Sequence, residues 1–386
     1  MSGKDIRIVI GSNYGDEGKG ATVNWLLNEI GKPSAVVRFN GGAQAGHTVV
    51  ANGYRHVCSH YGAGVLDYFP TILTQDFVCS PHLFMRECKE LAKKGVFRPE
   101  VYVSPNCQVT TPWDMMLNQL VEKKRGDGRH GSVGVGFGET VERAGRGFPL
   151  TVADLYHPRF EDVINRIVFE YMPQRLKELG IDLAEVSEEE REFFGKNAAV
   201  VYDAFGAECS EFMKRITVMD ELQAFDKFPN LVFEGAQGLA LDQNAKDFPH
   251  VTRSNTGLKN AMAAVGAYRA SLNDNVEVRA YYVTRPYITR HGAGPLKHEQ
   301  ETLEPYFGVV DETNKPHEFQ GSLRFAFLDI DDVVARIRAD WLPYEGVLKE
   351  ANLVFTCMQQ IGTDSKQVPV IVDGKTFMVD SDQMMG

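Results

Sequence analysis

A short apolar segment that runs straight into a glycine-rich turn constrains this chain more than any other feature of the sequence. Residues 7–20 read Arg-Ile-Val-Ile-Gly-Ser-Asn-Tyr-Gly-Asp-Glu-Gly-Lys-Gly, and apolar periodicity predicts a helix over 22–30. Glycine lets backbone amides approach phosphoryl oxygens without a Cβ in the way, and the N-terminus of the helix adds a partial positive charge. With the ammonium group of Lys19 beside it, this pattern predicts a P-loop-like phosphate-binding loop.

The loop departs from the ordinary P-loop motif at two positions. That motif requires glycine at position 13 and Ser or Thr after the lysine, whereas this chain has Asn13 and Gly20 and lacks the usual hydroxyl ligand for Mg²⁺. Asp16 could replace that ligand. A carboxylate in a phosphate loop repels the ligand unless it binds a metal ion or takes a proton, so Asp16 indicates chemistry at the loop. The alternative is an ordinary glycine turn with a solvated acid.

Composition and charge narrow the class of protein. The 386 residues are 43% hydrophobic and 24% charged, with a mean hydropathy of −0.25, which favours a globular protein. A net charge of −11 argues against nucleic acid as a partner, and no apolar run reaches the roughly 20 residues of a membrane span. The N-terminus leads directly into a strand, so a cytoplasmic location is expected. Six cysteines without a CxxC pair indicate reduced thiols.

The order of predicted elements indicates the fold class. Apolar runs end in polar glycine loops and alternate with helical stretches, which is typical of a mainly parallel sheet with ligands at one edge. The predicted strands beyond the first are 34–39, 71–79, 100–103, 231–238, 276–285 and 353–356, and the predicted helices are 81–94, 112–124 and several within 158–227. The glycine-dense stretch 123–138 predicts a loop that a ligand orders. We expect one α/β domain over residues 1–386, with a large mainly parallel (mixed) sheet and flanking helices.

Four further glycine-bounded stretches carry reactive side chains, at 41–48, 130–139, 234–256 and 289–296. They include Gly-Gly-Ala-Gln-Ala-Gly-His-Thr, Glu-Gly-Ala-Gln-Gly-Leu-Ala-Leu-Asp, Val-Thr-Arg-Ser-Asn-Thr and Thr-Arg-His-Gly-Ala-Gly-Pro. Taken in order with residues 15–20, these stretches resemble adenylosuccinate synthetase along nearly the whole chain. The resemblance implies a ligase that phosphorylates the 6-oxygen of a purine nucleotide and then displaces that phosphate with the amine of L-aspartate.

The resemblance assigns chemical roles to a few residues. Asp16 would take the N1 proton of the purine and, with the carbonyl of Gly46, hold Mg²⁺, while His47 would hydrogen-bond the transferred phosphoryl group. Lys19 would grip phosphate, and Gln237 would read the purine edge. For His47 the alternative is a satisfied loop histidine.

The resemblance also implies two larger sets of binding residues. The nucleotide- and phosphate-binding set is Asn13, Gly15, Glu17, Gly18, Gly20, Gln44, Ser132, Val133, Arg143, Arg146, Leu241, Thr252, Thr356 and Gln359. The aspartate-binding set is Thr289, Arg290, Gly292 and Arg324. Family members lend one arginine across a dimer interface, which aligns here with Arg143 or Arg146, so a homodimer is expected.

One departure from the family bears on the phosphate donor. The family reads the guanine of GTP with an Asp in a Thr-Lys-x-Asp stretch, where this chain has Thr-Cys-Met-Gln at 356–359. An Asp accepts from two guanine N–H groups, whereas a Gln amide offers the donor and acceptor that adenine needs. ATP or dATP is therefore the expected donor. The alternative is GTP, with a shifted loop in which Asp364 reads guanine.

Other departures bear on the substrate. The aspartate loop at 320–325 keeps only Arg324 of an arginine cluster, His291 stands where the family tends to have an apolar residue, and Ser132-Val133 replaces a Thr-Thr pair. These features resemble the archaeal and phage branch, whose phage members make 2-aminoadenylosuccinate from dGMP. Those phage enzymes generally carry Ser where this chain has Asp16, which leaves IMP open. We favour dGMP over IMP as the substrate.

Two other classes of protein compete with a ligase. A nucleotide-sensing switch would bind ligand without turnover, but it does not need Asp16 and His47 on different loops. A P-loop kinase would carry Ser or Thr after Lys19, and that hydroxyl is absent.

Overall fold

The structure, a computed structural model, describes six ranges of the chain. They are residues 4–128, 131–156, 158–271, 276–309, 322–362 and 366–384. Asp364, residues 320 and 321 of the expected aspartate loop, and residues 129 and 130 of the glycine-dense stretch lie outside the described residues.

Strands run through the whole of the described chain. They are β1 (Lys4–Gly11), β2 (Ser34–Arg38), β3 (His47–Ala51), β4 (Tyr54–Cys58), β5 (Thr71–Leu73), β6 (Val78–Cys79), β7 (Val101–Val103), β8 (Gln108–Val109), β9 (Thr217–Val218), β10 (Asn230–Glu234), β11 (Val276–Thr284), β12 (Tyr287–Arg290), β13 (Glu299–Gln300), β14 (Arg324–Asp329), β15 (Glu350–Phe355), β16 (Gln367–Val372) and β17 (Lys375–Asp380).

Helices fill most of the connections. They are α1 (Lys19–Ile30), α2 (Pro81–Lys93), α3 (Pro112–Arg125), α4 (Phe137–Gly145), α5 (Phe160–Arg166), α6 (Met172–Glu178), α7 (Glu188–Phe194), α8 (Ala198–Met213), α9 (Glu221–Asp226), α10 (Lys259–Ser271) and α11 (Ile330–Trp341), and a π-helical stretch, Ile167–Tyr171, joins α5 to α6. Short 3₁₀ helices lie at Val65–Asp67, Gly126–Gly128, Ala153–Tyr156, Leu239–Leu241, Leu342–Tyr344, Met358–Gln360 and Ser381–Met384.

The central sheet has the strand order β15-β11-β1-β10-β2-β5-β7-β9. Every neighbouring pair in it is parallel, which places the carboxyl ends of all these strands at one edge. The expected α/β fold on a large, mainly parallel sheet is confirmed. The stretch 71–79, predicted as one strand, is two strands in different sheets, because the chain turns between Thr74 and Phe77.

Alternation along β1 explains how the central sheet is buried on both faces. Ile6, Ile8 and Ile10 are fully buried in one hydrophobic cluster together with residues of α10, whereas Val9 belongs to a second cluster with Val23 and other residues of α1. Successive side chains of a strand point to opposite faces, so an uninterrupted apolar strand needs helices on both sides.

A second, mixed sheet was not predicted from the sequence. It has the order β12-β14-β16-β17, with β13 paired to β14. Separately, β3 and β4 form an antiparallel hairpin, and β6 pairs with β8. Helices α2 and α3 begin where the sequence predicts, because Ser80 and Thr111 cap them and a proline follows each cap. Within the described ranges, the helices are too short or too polar to cross a bilayer.

Candidate active site

Two clefts meet at the carboxyl ends of β1 and β10. Cleft A has a volume of about 520 Å³ and cleft B of about 680 Å³. Asp16, Lys19, Gly46 and His47 line both clefts. Cleft A is further lined by these residues that the sequence singled out: Gly15, Gln44, Ser132, Val133, Gln237, Leu241, Thr252 and Arg290. Cleft B is further lined by Glu17, Gly18 and Gly20 of the same set.

The predicted phosphate loop joins β1 to α1, and its own side chains brace it. Glu17 is 2% exposed, and its carboxylate accepts hydrogen bonds from the backbone and side-chain nitrogens of Asn13 (2.8 and 2.9 Å) and from Gly15 N (3.3 Å). Burial raises the pKa of Glu17 to about 7, although Lys19 and the bonds from Asn13 oppose the shift. Asn13 and Glu17 therefore support the loop from within.

Gly20 explains why the loop departs from the ordinary P-loop motif. A Cβ at this position would lie 2.7 Å from the carbonyl oxygen of Thr48 and 3.3 Å from the Cβ of His47. The hairpin β3–β4 packs so closely on the start of α1 that a Ser or Thr side chain does not fit after Lys19.

Asp16 stands at the junction of the clefts with a strained backbone, at a φ of 55°. Its Oδ2 lies 3.2 Å from Nε2 of His291, and its side chain is 32% exposed. Burial alone would raise the pKa of Asp16, but the hydrogen bond from His291 and the charges of Lys19 and Arg285 outweigh burial and lower it. Asp16 is therefore an ionised carboxylate that faces both clefts.

The carboxylate of Glu234 holds the imidazole ring of His47 in place. Its Nδ1 lies 2.7 Å from Oε1 of Glu234, and Oε2 of Glu234 accepts a hydrogen bond from Ala63 N at 3.1 Å. Burial lowers the pKa of His47, with help from Arg38 and Lys19 and against the charge of Glu234. Nε2 of His47 is buried and lacks a hydrogen-bond partner among the described residues. Because Nδ1 is bound to the carboxylate, Nε2 is the atom available to a ligand.

Two glutamines present amide groups to cleft A. The amide nitrogen and oxygen of Gln44 are both buried, and neither has a hydrogen-bond partner in the described part of the chain. Gln237 has a φ of 64°, and its Oε1 would lie 3.3 Å from a Cβ placed on Gly15. The buried amide of Gln44 points to a polar ligand, because an unsatisfied donor or acceptor is unfavourable in the interior.

The far wall of cleft A comes from the loop between α3 and α4 and from the segment around Thr252. Ser132 donates a hydrogen bond from its hydroxyl to Asn118 Oδ1 at 2.9 Å. Next to Thr252, Arg253 contacts the carboxylate of Glu142 at the entrance. The glycine-dense stretch is only partly irregular, since α3 continues to Arg125 and α4 begins at Phe137.

The expected aspartate-binding residues lie together but are largely engaged with the protein. Thr289 donates its hydroxyl to Gly15 O (3.4 Å), and Arg290, 1% exposed, donates to the carbonyls of Pro295 and His250. Arg324 pairs with Glu299 and donates to the carbonyl oxygen of Gly292 at 3.0 Å. Of the expected set, Arg290 lines cleft A, whereas Thr289, Gly292 and Arg324 support the loop behind it.

Arg143 is not at a surface that a second subunit could reach, which corrects one of the two alternatives for the shared arginine. Its side chain is fully buried, and its guanidinium donates to both carboxylate oxygens of Asp114 (2.9 and 3.0 Å) and to the carbonyl of Val109. Arg146 is 38% exposed at its side chain and pairs with Glu142 and Glu178. Of the two candidates, Arg146 is the one exposed at the surface.

In the segment expected to read the donor base, Gln360 rather than Gln359 lies at cleft B. Thr356 donates its hydroxyl to Glu17 O at 2.7 Å and so ties β15 to the phosphate loop. Gln359 is exposed and does not line cleft B, whereas Cys357 and Gln360 do. Gln360 accepts a hydrogen bond from the hydroxyl of Tyr287.

Sequence reasoning gave no role to Glu234, Arg285 or Gln360. Glu234 is the first residue of a motif that the sequence singled out, and its position at the end of β10 could have identified it as a site residue. Arg285 likewise follows β11, and its Nη1 donates to the hydroxyl of Tyr287 at 2.9 Å. No local signal distinguishes Gln360 from Gln359.

Two oxygen donors at the junction of the clefts suit Mg²⁺. Asp16 and the exposed Gly46 line both clefts, and a carboxylate and a backbone carbonyl are oxygen ligands of the kind that Mg²⁺ prefers. The residues therefore fit the expected ion.

A family model described as adenylosuccinate synthetase matches residues 8–320. This chain belongs to the adenylosuccinate synthetase family. Curated family members include one from Psychrobacter sp. (strain PRwf-1), 32% identical over 305 residues, and one from Acetivibrio thermocellus, 30% identical over 299 residues. These matches cover 77% and 76% of this chain but 65% and 66% of the relatives, so the chain spans slightly less than two thirds of their length.

Solved structures from the family share the fold. The fully ligated adenylosuccinate synthetase of Plasmodium falciparum has a TM-score of 0.69 at 18% identity and covers 96% of this chain and 82% of its own. The succinoaminodeoxyadenylate synthetase (PurZ) of cyanophage S-2L, bound to dGMP and dATP, has a TM-score of 0.57 at 14% identity. It covers 93% of this chain and 86% of its own. At these identities the likeness supports the fold alone.

Proposed function

We propose that this chain is a ligase that joins L-aspartate to the 6-position of a purine nucleoside monophosphate and consumes a nucleoside triphosphate. The observation that carries this proposal is the wall shared by the two clefts. Asp16, Lys19, Gly46 and His47 face both clefts, so a triphosphate in cleft B and a purine in cleft A can meet there. Membership of the adenylosuccinate synthetase family supports the same chemistry.

In the first step Asp16 accepts the N1 proton and O6 of the purine attacks the γ-phosphorus. The bond to the β–γ bridging oxygen breaks, which yields a 6-phosphoryl purine and the nucleoside diphosphate. Lys19 and the loop amides hold the phosphates, and Nε2 of His47, when it carries a proton, donates to the transferred group. Glu234 stabilises the positive imidazole that this requires, because its carboxylate is bound to Nδ1.

In the second step the amine of L-aspartate attacks C6, and O6 leaves as part of inorganic phosphate. The amine loses a proton, so the products are the N6-succinyl nucleotide, the nucleoside diphosphate and phosphate. Arg290, at the wall of cleft A, is the lining cation of the expected aspartate set, and Arg324 holds the neighbouring loop in place. Bound Mg²⁺, with Asp16 and Gly46 as ligands, would offset the negative charge of the phosphates.

We favour dGMP as the nucleotide and ATP or dATP as the donor, with IMP and GTP as alternatives. The cyanophage PurZ structure contains dGMP and dATP, the pair expected for this chain. The names of the curated relatives favour ordinary adenylosuccinate synthetase and hence IMP. Among the described residues that line cleft B, the acids are Asp16 and Glu17 of the phosphate loop, and Asp364, the alternative guanine reader, lies outside the described ranges. A homodimer in which Arg146 reaches the partner belongs to the same proposal.

The test is phosphate release with purified protein, Mg²⁺, a triphosphate, L-aspartate and either dGMP or IMP, with the product identified by mass. Release should require the monophosphate, the triphosphate and L-aspartate together. Phosphate release without aspartate would indicate a simple triphosphatase, and transfer of the phosphoryl group to the monophosphate without phosphate release would indicate a kinase. Tight binding without any turnover would favour the nucleotide-sensing switch.

A further inference from the structure

Three metal-ligating side chains converge outside both clefts, between the hairpin β3–β4 and helix α2. His56 and Cys58 lie two residues apart on β4 and so point to the same face of the strand, and Glu87 faces them from α2. One ligand atom from each lies within 4.8 Å of the other two. The three residues are 4%, 0% and 5% exposed, and they form the one such group found in the described ranges.

The separation of the His56 and Glu87 ligand atoms suits a shared metal ion. His56 Nε2 lies 3.4 Å from Glu87 Oε1, close to the upper limit for a hydrogen bond. Two ligands at about 2.0–2.1 Å from a Zn²⁺ ion, separated by the tetrahedral angle, lie about 3.4 Å apart. The thiol of Cys58 donates to the carbonyl of Gly62 at 3.6 Å and would exchange that contact for the ion.

The carboxylate of Glu87 is held in place by three donated hydrogen bonds. Ser59 N, the hydroxyl of Ser59 and His60 N all donate to it, at 3.1, 2.7 and 2.7 Å. An ionised carboxylate in the interior is stable when it is paired or binds a metal ion.

His60 lies beside Glu87 but is not itself a ligand. Its Nε2 accepts a hydrogen bond from Ser80 N at 3.0 Å, so the lone pair of the neutral ring is already used. Nδ1 then carries the proton and faces Glu87 at 3.6 Å. His60 and Ser59 therefore orient Glu87 from outside, as hydrogen-bonding groups around metal ligands commonly do.

We propose that His56, Cys58 and Glu87 form a structural site for a transition-metal ion, with Zn²⁺ as the best match. One nitrogen, one sulfur and one oxygen donor suit Zn²⁺, whereas a thiolate ligand disfavours Mg²⁺. Binding converts the Cys58 thiol to a thiolate and releases its proton to solvent, with no change in oxidation state. The site is separate from the Mg²⁺ expected between the clefts, and it stands whether or not the proposed ligase activity is correct.

A metal ion at this site would stabilise the hairpin β3–β4, which carries His47. Cys58 is the register partner of His47 across β3 and β4. An ion bound to Cys58 and Glu87 would join that hairpin to α2 and hold the strand pair in place.

The test is metal content and cobalt substitution on the full-length protein. After chelation and reloading, the wild type should hold about one Zn²⁺ per chain. With Co²⁺ it should show a thiolate-to-cobalt charge-transfer band that millimolar Mg²⁺ does not remove. Cys58→Ser should lose the band, and His56→Gln should weaken Co²⁺ binding at least about 10-fold. Cys209→Ser, a buried cysteine on α8, is the matched control and should behave as wild type.

Three results would overturn the site. They are wild-type protein that retains no Zn²⁺ above background, a cobalt spectrum without a thiolate band, and a spectrum unchanged in Cys58→Ser. Melting curves of the metal-free proteins show whether the variants fold. If Cys58→Ser does not fold, the wild-type spectrum and His56→Gln still decide.

Discussion

His47 and Glu234 form a buried pair that joins the hairpin β3–β4 to the central sheet. Nδ1 of His47 lies 2.7 Å from Oε1 of Glu234, and Glu234 sits beside Arg38 in the pairing of β10 with β2. The carboxylate fixes the orientation of the ring and directs Nε2 to the junction of the clefts. A positioned acid behind a histidine is the arrangement that stabilises the positive imidazole during proton and phosphoryl transfer.

Replacing Glu234 should therefore impair turnover more than substrate binding. In Glu234→Gln we expect kcat to fall on the order of 10²-fold while the KM values change little, because the ring keeps its place but loses its negative partner. Steady-state rates of phosphate release measure this. Glu234→Asp, which keeps the charge, should recover part of the activity, and an unchanged kcat in Glu234→Gln would exclude the role.

Asp16 should be required for the phosphoryl step and not for the fold. Its side chain is 32% exposed at the clefts and bonded to His291, so Asp16→Asn removes a base and a metal ligand without opening the core. We expect turnover to fall more than about 10²-fold, with an unchanged melting temperature. Asp162→Asn, an exposed acid on α5, is the control. Near-normal turnover of Asp16→Asn would remove the proposed mechanism, and His47→Ala should give a comparable loss.

The donor base should be read by Gln360 rather than Gln359. Gln360 lines cleft B and accepts from Tyr287, whereas Gln359 is exposed. Initial rates should rank ATP and dATP above GTP, and Gln360→Asp should shift that ranking towards GTP because a carboxylate accepts from both guanine N–H groups. Gln359→Asp is the matched control and should leave the ranking unchanged. A wild-type preference for GTP would contradict this assignment.

The sequence predicted correctly those segments whose structure depends on residues close to one another in the chain. β1, the phosphate loop and α1 follow from apolar periodicity and glycine within a single stretch, and parallel topology brings the loops after β1 and β10 together. Partners far apart in sequence were not predictable. His47 meets Glu234 across 187 residues, and the burial of Arg143 depends on its meeting Asp114, 29 residues away, where α4 packs on α3. Gln360 replaces Gln359 because a 3₁₀ turn at Met358–Gln360 sets which side chain faces the cleft.

Asp340 should make the stability of the fold depend on pH. It accepts hydrogen bonds from Leu258 N (3.0 Å) and from the hydroxyl of Tyr282 (2.9 Å), yet burial raises its pKa to about 6, with a further push from Asp242. The side-chain carboxyl of an Asp in an unfolded chain has a pKa of about 3.9, so the folded state binds the proton more tightly. The stabilisation from the protonated form is complete below about pH 4 and is lost as the pH rises through about 6.

Asp340→Asn removes this dependence because the amide stays neutral. The melting temperature of the variant relative to wild type should therefore rise between about pH 5 and pH 7, and thermal melts across that range measure it. A difference between the two proteins that stays constant with pH would show that Asp340 does not titrate there.

Gln44 should determine whether the enzyme accepts dGMP or IMP. IMP and dGMP share the 6-oxygen and the N1 proton, so Asp16 and His47 cannot distinguish them, and the 2-amino group of dGMP needs its own hydrogen-bond acceptor. The side-chain oxygens that could accept from this group are those of Ser12, Asn13 and Gln44, and a carbonyl in the turn at 11–15 is the alternative. Ser12 is fully buried and does not line cleft A, and Oδ1 of Asn13 already accepts a hydrogen bond from Arg336. Gln44 lines cleft A with an unpartnered amide oxygen.

Removing that acceptor should therefore affect dGMP far more than IMP. In Gln44→Met, an apolar side chain of similar length, kcat/KM for dGMP should fall roughly 10- to 100-fold further than for IMP, the effect of leaving a buried donor unpaired. Rates with both nucleotides and mass detection of the products measure it, and Ser12→Ala is the matched control that should affect both nucleotides equally. Equal losses of kcat/KM for the two nucleotides in Gln44→Met would show that Gln44 binds a group that dGMP and IMP share. A wild-type enzyme that forms adenylosuccinate from IMP but no 2-amino product from dGMP would overturn the phage-type assignment, because the pocket would then reject the very group that Gln44 is expected to bind.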